Sequence, residues 1–439
     1  MKRTQIVAVL IAISLLTACS GPAEPEEDAR PEVTVVSILS FPDQDKAYLR
    51  AAIDEADLDF EVEIIEVPQN QYEDKAKMML MAQNATDLIM LDAPNIASYA
   101  SSDMLEPLNK YWEMDDFSDL TRAMQTSVQW QGKIWAAPLN DATCLLFYNR
   151  DIFREAGIAP AKTLEESWTL DRMLQVAMQL TRRDQEGAII QYGLQPVMFT
   201  PDNLVEGMAF TQMLYLWWFG AEILDPKMSA ATGYLDSAAS LDALNYYRRL
   251  YVTDQVAPLH EIPNGFVEGR VAMWITGPWM LGTWRDNYPA FFNSGWGVMP
   301  LPRGEQEASP CGSWNIAITK QSKHKQEAWQ VVQALTGKRG MEIWCEGTGN
   351  LPARVSVAQV AEFSYMKEAY ELAMAQLQRT SRTRPVSPVY PEISQALVDC
   401  FNSVAFGEAP EKALRKAADR IDQALIEDIL SQTQKEILP

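Results

Sequence analysis

The feature that most constrains the fold is a regular alternation of strand-like and helix-like segments near the start of the chain. Residues 33–39 (VTVVSIL) and 87–91 (DLIML) are short apolar runs typical of buried strands, and residues 60–67 (FEVEIIEV) alternate in polarity as a half-buried strand does. Residues 45–57 and 72–83, which separate these strands, have helical spacing of apolar side chains. Strand–helix–strand–helix–strand predicts an open α/β layer with parallel strands.

The same alternation continues along the rest of the chain. Helices are predicted at residues 96–100, 170–181, 205–219, 235–251, 326–335, 340–345 and 410–432, and strands at residues 145–149, 271–275, 296–299 and 315–319. No internal repeat and no linker rich in Gly or Ser divides the 439 residues, although a chain of this length normally forms more than one core. We therefore expect two α/β lobes between which the chain passes several times.

Composition excludes several classes of function. The chain has 37 Lys and Arg against 59 Asp and Glu, and this formal net charge of −22 argues against nucleic acid as a partner. Only two histidines are present, His260 and His324, so a His-rich zinc site is not expected. We predict no metal and no cofactor. The unusual feature is the aromatic content of 13 Trp, 15 Tyr and 14 Phe.

The N-terminus has the pattern of an export signal. A basic start is followed by an apolar run at residues 6–16 that is too short to span a membrane, which predicts a signal peptide over residues 1–18. Residues 16–19 (LTAC) resemble the lipobox of bacterial lipoproteins, and the resemblance implies a lipid on Cys19; a plain secretory signal is the alternative. Residues 19–31 are rich in Pro, Glu and Ala and predict a disordered tether. We expect a protein of the cell envelope, lipid-anchored to a bacterial membrane and facing the periplasm or the exterior.

Four further cysteines follow Cys19 in the sequence. They are Cys144, Cys311, Cys345 and Cys400, an even number in a compartment that permits disulfides. A domain of this size does not need cross-links, so two disulfides and four free buried thiols both remain open.

Several segments resemble one protein family. Residues 265–279 (GFVEGRVAMWITGPW) match its F-x-x-G-x-x-A-M-x-x-x-G-P-W segment, and residues 312–319 (GSWNIAIT) resemble G-G-W-x-L-A-I-S with Ser313 in place of the second glycine. Residues 384–390 (RPVSPVY) resemble R-P-x-x-P-x-Y, while residues 138–151 and 407–417 resemble a crossing strand and a closing helix. These patterns are similar to the extracellular solute-binding proteins of ABC importers, in the sugar-binding group related to maltose- and trehalose-binding proteins.

The resemblance implies a fold and a role. The fold would be α/β and periplasmic-binding-protein type II-like, with two α/β lobes joined by crossing hinge strands. Lobe I would hold residues 32–143 and 312–355, and lobe II residues 144–311 and 356–439. A monomer would capture a disaccharide or short oligosaccharide between the lobes and deliver it to the permease subunits of an ABC transporter, without enzymatic activity.

A sugar offers apolar ring faces to aromatic side chains and hydroxyl groups to polar side chains. By the family match Trp279, which follows a predicted strand, is the first candidate for stacking; packing in the core is the alternative. Trp314 and Ser313 lie at a turn that enters a strand, where backbone amides can face a ligand. Asp92 ends a predicted strand, where ligands bind in open α/β sheets, although it could instead cap the next helix.

The remaining candidates rest on weaker grounds. Phe41 and Asp43 follow the first strand, and Asn140 and Asp141 precede the crossing strand with their register in the site undecided. Arg384 can form a bidentate fork with vicinal hydroxyls or with Asp92, unless it is a surface arginine. The last candidates are Tyr390, Arg354, Trp217 and Trp274, and for the two tryptophans core packing is the preferred interpretation.

Three alternatives differ in function. The same transport role could serve a non-sugar ligand such as a polyamine, a peptide or glycerol phosphate. An exported glycoside hydrolase would need two carboxyl groups about 5–10 Å apart, which 59 acidic residues can supply by chance. A lipoprotein that only binds other proteins is the third.

Overall fold

The computed structural model describes residues 35–40, 44–82, 85–198, 205–312, 314–360 and 363–437. Four predicted site residues lie outside these ranges: Cys19, Phe41, Asp43 and Ser313. Within the described residues, no helix has the length and apolarity needed to cross a membrane.

The described strands and helices alternate throughout. The strands are β1 Val35–Ser40, β2 Glu61–Glu66, β3 Leu88–Asp92, β4 Gln129–Trp130, β5 Lys133–Ile134, β6 Ala137–Pro138, β7 Leu145–Asn149, β8 Arg182–Arg183, β9 Ile189–Gln195, β10 Val271–Thr276, β11 Trp296–Met299, β12 Ser309–Cys311, β13 Trp314–Ile318 and β14 Ser381–Thr383. The α-helices are α1 Gln44–Glu55, α2 Gln69–Met81, α3 Ile96–Ser101, α4 Met114–Ser118, α5 Arg122–Ser127, α6 Arg150–Ala156, α7 Leu170–Leu180, α8 Val205–Trp218, α9 Ala238–Arg248, α10 Trp279–Asn287, α11 Pro289–Ser294, α12 Lys325–Thr336, α13 Lys338–Thr348, α14 Val355–Ala358, α15 Lys367–Thr380, α16 Tyr390–Ala405 and α17 Pro410–Ile437.

The first sheet has the strand order β2-β1-β3-β13-β6. Strand β1 pairs in parallel with both β2 and β3, which confirms the parallel layer predicted from the N-terminal alternation. Strand β13 comes from far along the chain and pairs antiparallel with β3 and β6. In β2 the side chains alternate between buried and exposed, as the alternating sequence of residues 60–67 predicts.

The second sheet has the strand order β11-β7-β10-β9-β8. Strand β10 runs parallel to β9 and antiparallel to β7. Strand β7 is buried at all five positions and leads directly into α6, which begins where the Asn149 side chain accepts hydrogen bonds from two backbone N–H groups and ends at Gly157 in the left-handed region.

Two short strands lie apart from both sheets. Strand β12 pairs in parallel with β14, so that residues 309–311 run beside residues 381–383. The strand before β12, β11, belongs to the second sheet, whereas the strand after it, β13, belongs to the first. The β12–β14 pair therefore lies where the chain crosses from one sheet to the other.

The four described cysteines, Cys144, Cys311, Cys345 and Cys400, are all free and buried. Of the two alternatives left open by the sequence, the structure therefore has four free thiols, and burial raises the pKa of each of them.

Candidate functional site

Asp92 is the last residue of β3, at the carboxyl end of a strand in the first sheet. The antiparallel register places it directly opposite Trp314, the first residue of β13. A short 3₁₀ helix follows Asp92, but the aspartate side chain makes no capping hydrogen bond to it. The carboxylate is therefore not used as a helix cap, and two predicted site residues lie side by side.

Arg384 holds the Asp92 carboxylate in a bidentate fork. One terminal nitrogen donates to Asp92 Oδ2 at 2.7 Å and the other to Oδ1 at 2.6 Å. Arg384 is only 5% exposed, which rules out the alternative of a surface arginine. The fork to Asp92 was one of the two partners predicted from the sequence.

Glu206 is a second carboxylate on the same arginine, and the sequence did not predict it. It lies in the first turn of α8, and its Oε1 accepts hydrogen bonds from Arg384 at 2.5 Å and from the Tyr390 hydroxyl at 2.6 Å. The predicted residue Tyr390 is fully buried and thus contacts the cluster through Glu206. We call Asp92, Arg384, Glu206 and Tyr390 the arginine cluster.

Gly312 connects the arginine cluster to Asp141. Its carbonyl accepts a hydrogen bond from Arg384 at 3.0 Å, and its N–H donates to Asp141 Oδ1 at 2.9 Å. The residue has a φ of +91°, a left-handed conformation that favours glycine. The local backbone conformation therefore favours glycine at position 312, where the family motif also has a glycine.

Aromatic rings flank the arginine cluster. The Arg384 guanidinium lies 4.9 Å from the centroid of the Phe210 ring, and Phe210 lies 6.3 Å from the ring of Trp279. Trp279 is the first residue of α10, separated from the end of β10 by Gly277 and Pro278, and is half-buried. Its ring covers Gly277, where an added Cβ would come within 1.9 Å of the ring. Phe210, which the sequence did not predict, thus connects the predicted stacking residue to the predicted polar residues.

Burial and like charge set the electrostatics of the cluster. Burial, followed by the charge of Asp92, raises the pKa of Glu206 against the opposing effect of Arg384. Glu73, whose carboxylate accepts hydrogen bonds from Tyr99 and Asn95, also has a pKa raised by burial, with a smaller contribution from Asp92. The neighbourhood of Asp92 therefore contains more carboxylates than cations to balance them.

Asn140 and Asp141 have different surroundings in the structure. The sequence left undecided which of the two faces the ligand. Asn140 is fully buried and accepts a hydrogen bond from the Trp344 indole. Asp141 is 1% exposed, and burial raises the pKa of its carboxyl to about 6. Asp141 and Arg384 both line a cavity of about 1210 Å³ that also borders Trp217.

Three predicted residues are not brought to the arginine cluster. Arg354 is 2% exposed and pairs with Asp116 and Asp119. Trp274 packs against the rings of Phe266 and Trp284. Trp217 is 2% exposed, and its ring lies 5.2 Å from the Arg382 guanidinium. Trp274 thus packs among aromatic side chains, whereas Trp217 is buried but borders the same cavity as Asp141 and Arg384.

Comparison with known proteins identifies relatives of this chain. The family described as bacterial extracellular solute-binding protein matches residues 49–371. A maltooligosaccharide ABC transporter solute-binding lipoprotein of Streptococcus pneumoniae is 23% identical, and the alignment covers 98% of each chain.

Solved structures agree on the fold. An ABC transporter solute-binding protein of Thermotoga lettingae bound to α-D-tagatose superposes with a TM-score of 0.76 at 24% identity, covering 89% of this chain and 99% of that one. UgpB of Mycobacterium tuberculosis with glycerophosphocholine gives a TM-score of 0.77 at 20% identity, covering 91% and 100%. The predicted fold class, α/β and periplasmic-binding-protein type II-like, is confirmed.

Proposed function

Since the chain belongs to the family of bacterial extracellular solute-binding proteins, we propose that it captures a disaccharide or short oligosaccharide and delivers it to the permease of an ABC transporter. The S. pneumoniae relative is named as a maltooligosaccharide-binding lipoprotein of such a transporter, and a Bacillus subtilis relative is named as a maltodextrin-binding protein. Both alignments extend over nearly the whole chain, which supports the same class of ligand here.

One observation supports the sugar more than any other. Arg384 contacts Asp92, at the end of a strand of the first sheet, and Phe210, which packs against Trp279 at the end of a strand of the second sheet. This arrangement offers a hydrogen-bonding carboxylate and flat aromatic side chains within one small region. Those are the two kinds of group that a sugar needs, hydroxyl partners and apolar faces.

The lobes are part of the proposal. All strands of the first sheet fall within residues 32–143 and 312–355, and all strands of the second fall within 144–311. Strand β12 ends at residue 311, next to a boundary, and its partner β14 lies within residues 356–439. This distribution supports lobe I at residues 32–143 and 312–355, and lobe II at residues 144–311 and 356–439. Closure about the crossing strands would then trap the ligand. Small-angle scattering should show a smaller radius of gyration with bound sugar, and an unchanged radius would contradict closure.

The anchor and the assembly state are proposed on the sequence and the family. Lipid on Cys19 would hold a monomer at the outer face of a membrane, close to its permease. Fatty-acid labelling in cells should mark the wild type and leave Cys19→Ser unlabelled; equal labelling would refute this anchor. We propose no enzymatic activity, so the purified protein should release no reducing sugar from oligosaccharides.

A thermal-shift panel tests the proposed function. Neutral mono-, di- and trisaccharides, a polyamine, a short peptide and glycerol phosphate are each added to the purified protein. A ligand that binds only the folded state raises the melting temperature, by an amount that grows with its concentration. We expect at least one di- or trisaccharide to raise it. A shift with only the polyamine, the peptide or glycerol phosphate would contradict the proposal.

A further inference from the structure

Glu206 differs from the other members of the arginine cluster in its exposure. Its side chain is 24% exposed, compared with 3% for Arg384 and 12% for Asp92, and Tyr390 is fully buried. Oε1 of Glu206 accepts hydrogen bonds from both Arg384 and Tyr390. Glu206 is therefore the most exposed charged member of the cluster.

The only cation in the cluster is already occupied. The two terminal nitrogens of Arg384 donate to Asp92 twice, to Glu206 and to the Gly312 carbonyl, and its Nε is buried without a partner among the described residues. A phosphate or carboxylate on a ligand would have to displace Asp92 or Glu206 to reach the guanidinium. The cluster is thus poorly suited to bind an anion.

Carboxylates outnumber cations among the described residues around the cluster. Asp92 and Glu206 share one guanidinium, Asp141 contacts the cluster through Gly312, and Glu73 lies close enough to Asp92 for the two charges to interact. Among the described residues, Lys77 acts through its charge on Glu73, Arg122 lines the same cavity as Asp141, and Arg382 is paired with Glu222.

Aromatic rings next to the carboxylate favour a cation in the same place. Phe210 lies one helical turn beyond Glu206 in α8 and contacts both Arg384 and Trp279. A ring face attracts an ammonium group as well as a sugar face. The Phe210 ring is buried against Arg384, so the half-buried ring of Trp279 is the aromatic surface that remains for a ligand. The region around Glu206 therefore combines a partly exposed carboxylate, more carboxylates than cations, and this aromatic surface.

We propose that Glu206 is a specificity-determining residue that pairs with an ammonium group of the ligand, so that the protein prefers saccharides with a free amino group to their neutral or anionic counterparts. This inference rests on the proposed function, because it names the charge class of the sugar captured at the same site.

The test compares three sugars that share the trehalose scaffold and differ in charge. Calorimetric titrations at neutral pH and low salt use trehalose, trehalosamine and trehalose 6-phosphate. We expect trehalosamine to bind at least about tenfold more tightly than trehalose, and trehalose 6-phosphate at least about tenfold more weakly. The preference for trehalosamine should fall as salt is added, since screening weakens a charge pair that remains partly exposed.

Two variants assign the effect to Glu206. Glu206→Gln should bind trehalose and trehalosamine with equal affinity. Glu222→Gln, which changes a more exposed carboxylate that pairs with Arg382, should keep the wild-type preference. Circular dichroism and the melting temperature confirm that each variant is folded.

The inference is overturned if the wild type binds trehalosamine no more tightly than trehalose, if trehalose 6-phosphate binds best, or if Glu206→Gln keeps the preference. Binding of none of the three also overturns it. The thermal-shift panel of neutral sugars is independent of these probes, so a failed charge preference and a failed sugar-binding function give different results.

Discussion

Arg384 forms ion pairs with two buried or partly buried carboxylates, so its removal should be costly. Arg384→Ala would leave Asp92 and Glu206 without their cation, and breaking a buried pair by removing one partner typically costs about 3–5 kcal/mol. Urea unfolding should show this loss of stability. Arg382→Ala is a matched control from the same segment, because Arg382 is more exposed, pairs with Glu222 and should cost less than about 1 kcal/mol. Equal losses in the two variants would contradict the buried cluster.

Asp141 should make stability depend on pH. Its pKa of about 6 lies above the ordinary value of 3.8 because the carboxyl is buried, so the folded state holds the proton more tightly than the unfolded state. The folded state therefore loses stability as the pH rises through 6. Asp141→Asn does not titrate, and relative to the wild type it should gain up to about 3 kcal/mol between pH 4 and pH 7.

The measurement is the free energy of unfolding of both proteins across that pH range. Asp225→Asn is a control whose stability difference from wild type should change with pH in the opposite direction. Backbone N–H groups of Ser229 and Ala230 lower the pKa of Asp225, so its carboxylate stabilises the fold as the pH rises. A stability difference between Asp141→Asn and wild type that does not change with pH would contradict the raised pKa.

At the scale of single residues, the sequence predicted part of the candidate site, and which residues contact the ligand remains a proposal. Asp92, Arg384 and Trp279 could be predicted because a strand end or a family motif marks each of them. Glu206 could not be predicted, because an acidic residue in the first turn of a helix stabilises the helix by itself and therefore does not indicate a binding site. Phe210 lies in a helix that is almost entirely apolar, so nothing in the local sequence distinguishes it from its neighbours.

At the scale of elements, a close approach between α7 and β9 offers a sharp test. An added Cβ at Gly193 would lie 1.9 Å from the Ala177 carbonyl oxygen, and backbone cannot move aside as a flexible side chain can. Gly193→Ala should therefore destabilise the protein by about 3 kcal/mol, at the upper end of the usual cost of overpacking.

The control is Gly187→Ala in the turn before β9. Nothing lies within 4 Å of an added Cβ there, so only the φ of +87° opposes the substitution, at a cost of about 1–2 kcal/mol. Thermal unfolding of both variants distinguishes the two causes. If Gly193→Ala is the milder of the two, the packing of α7 on β9 is not as described.

Elements with a strong local pattern were predicted well. Strands β7 and β11 have the predicted bounds, and the parallel layer of β1, β2 and β3 follows from apolar runs with β-branched residues. Strand β9 was missed because Gly193 interrupts its apolar pattern. The structure requires glycine at this position because an added Cβ would clash with the backbone of α7. Strands β12 and β14 have three residues each and pair across about 70 positions of sequence, so no local signal could reveal them.

At the scale of the whole molecule, the absence of a linker was the informative signal. An α/β chain of this length without an internal boundary indicates two lobes between which the chain passes more than once. The structure has two five-stranded sheets, and β13 joins the first sheet although it follows all strands of the second sheet in the sequence. The lobe boundaries and the closing motion remain proposals. The four free thiols had to be seen in the structure, because cysteine number alone does not decide pairing.

The central claim is that this protein binds a sugar against Trp279 beside the arginine cluster. The most direct measurement is calorimetric titration of the saccharide that gives the largest thermal shift into wild type, Trp279→Ala and Trp168→Ala. Trp168 is a half-buried control that stacks on Phe153, with ring centroids 6.2 Å apart. We expect a dissociation constant near micromolar, or about −8 kcal/mol, for wild type and Trp168→Ala, and a loss of at least about 2 kcal/mol for Trp279→Ala. Unchanged affinity in a folded Trp279→Ala would contradict the claim.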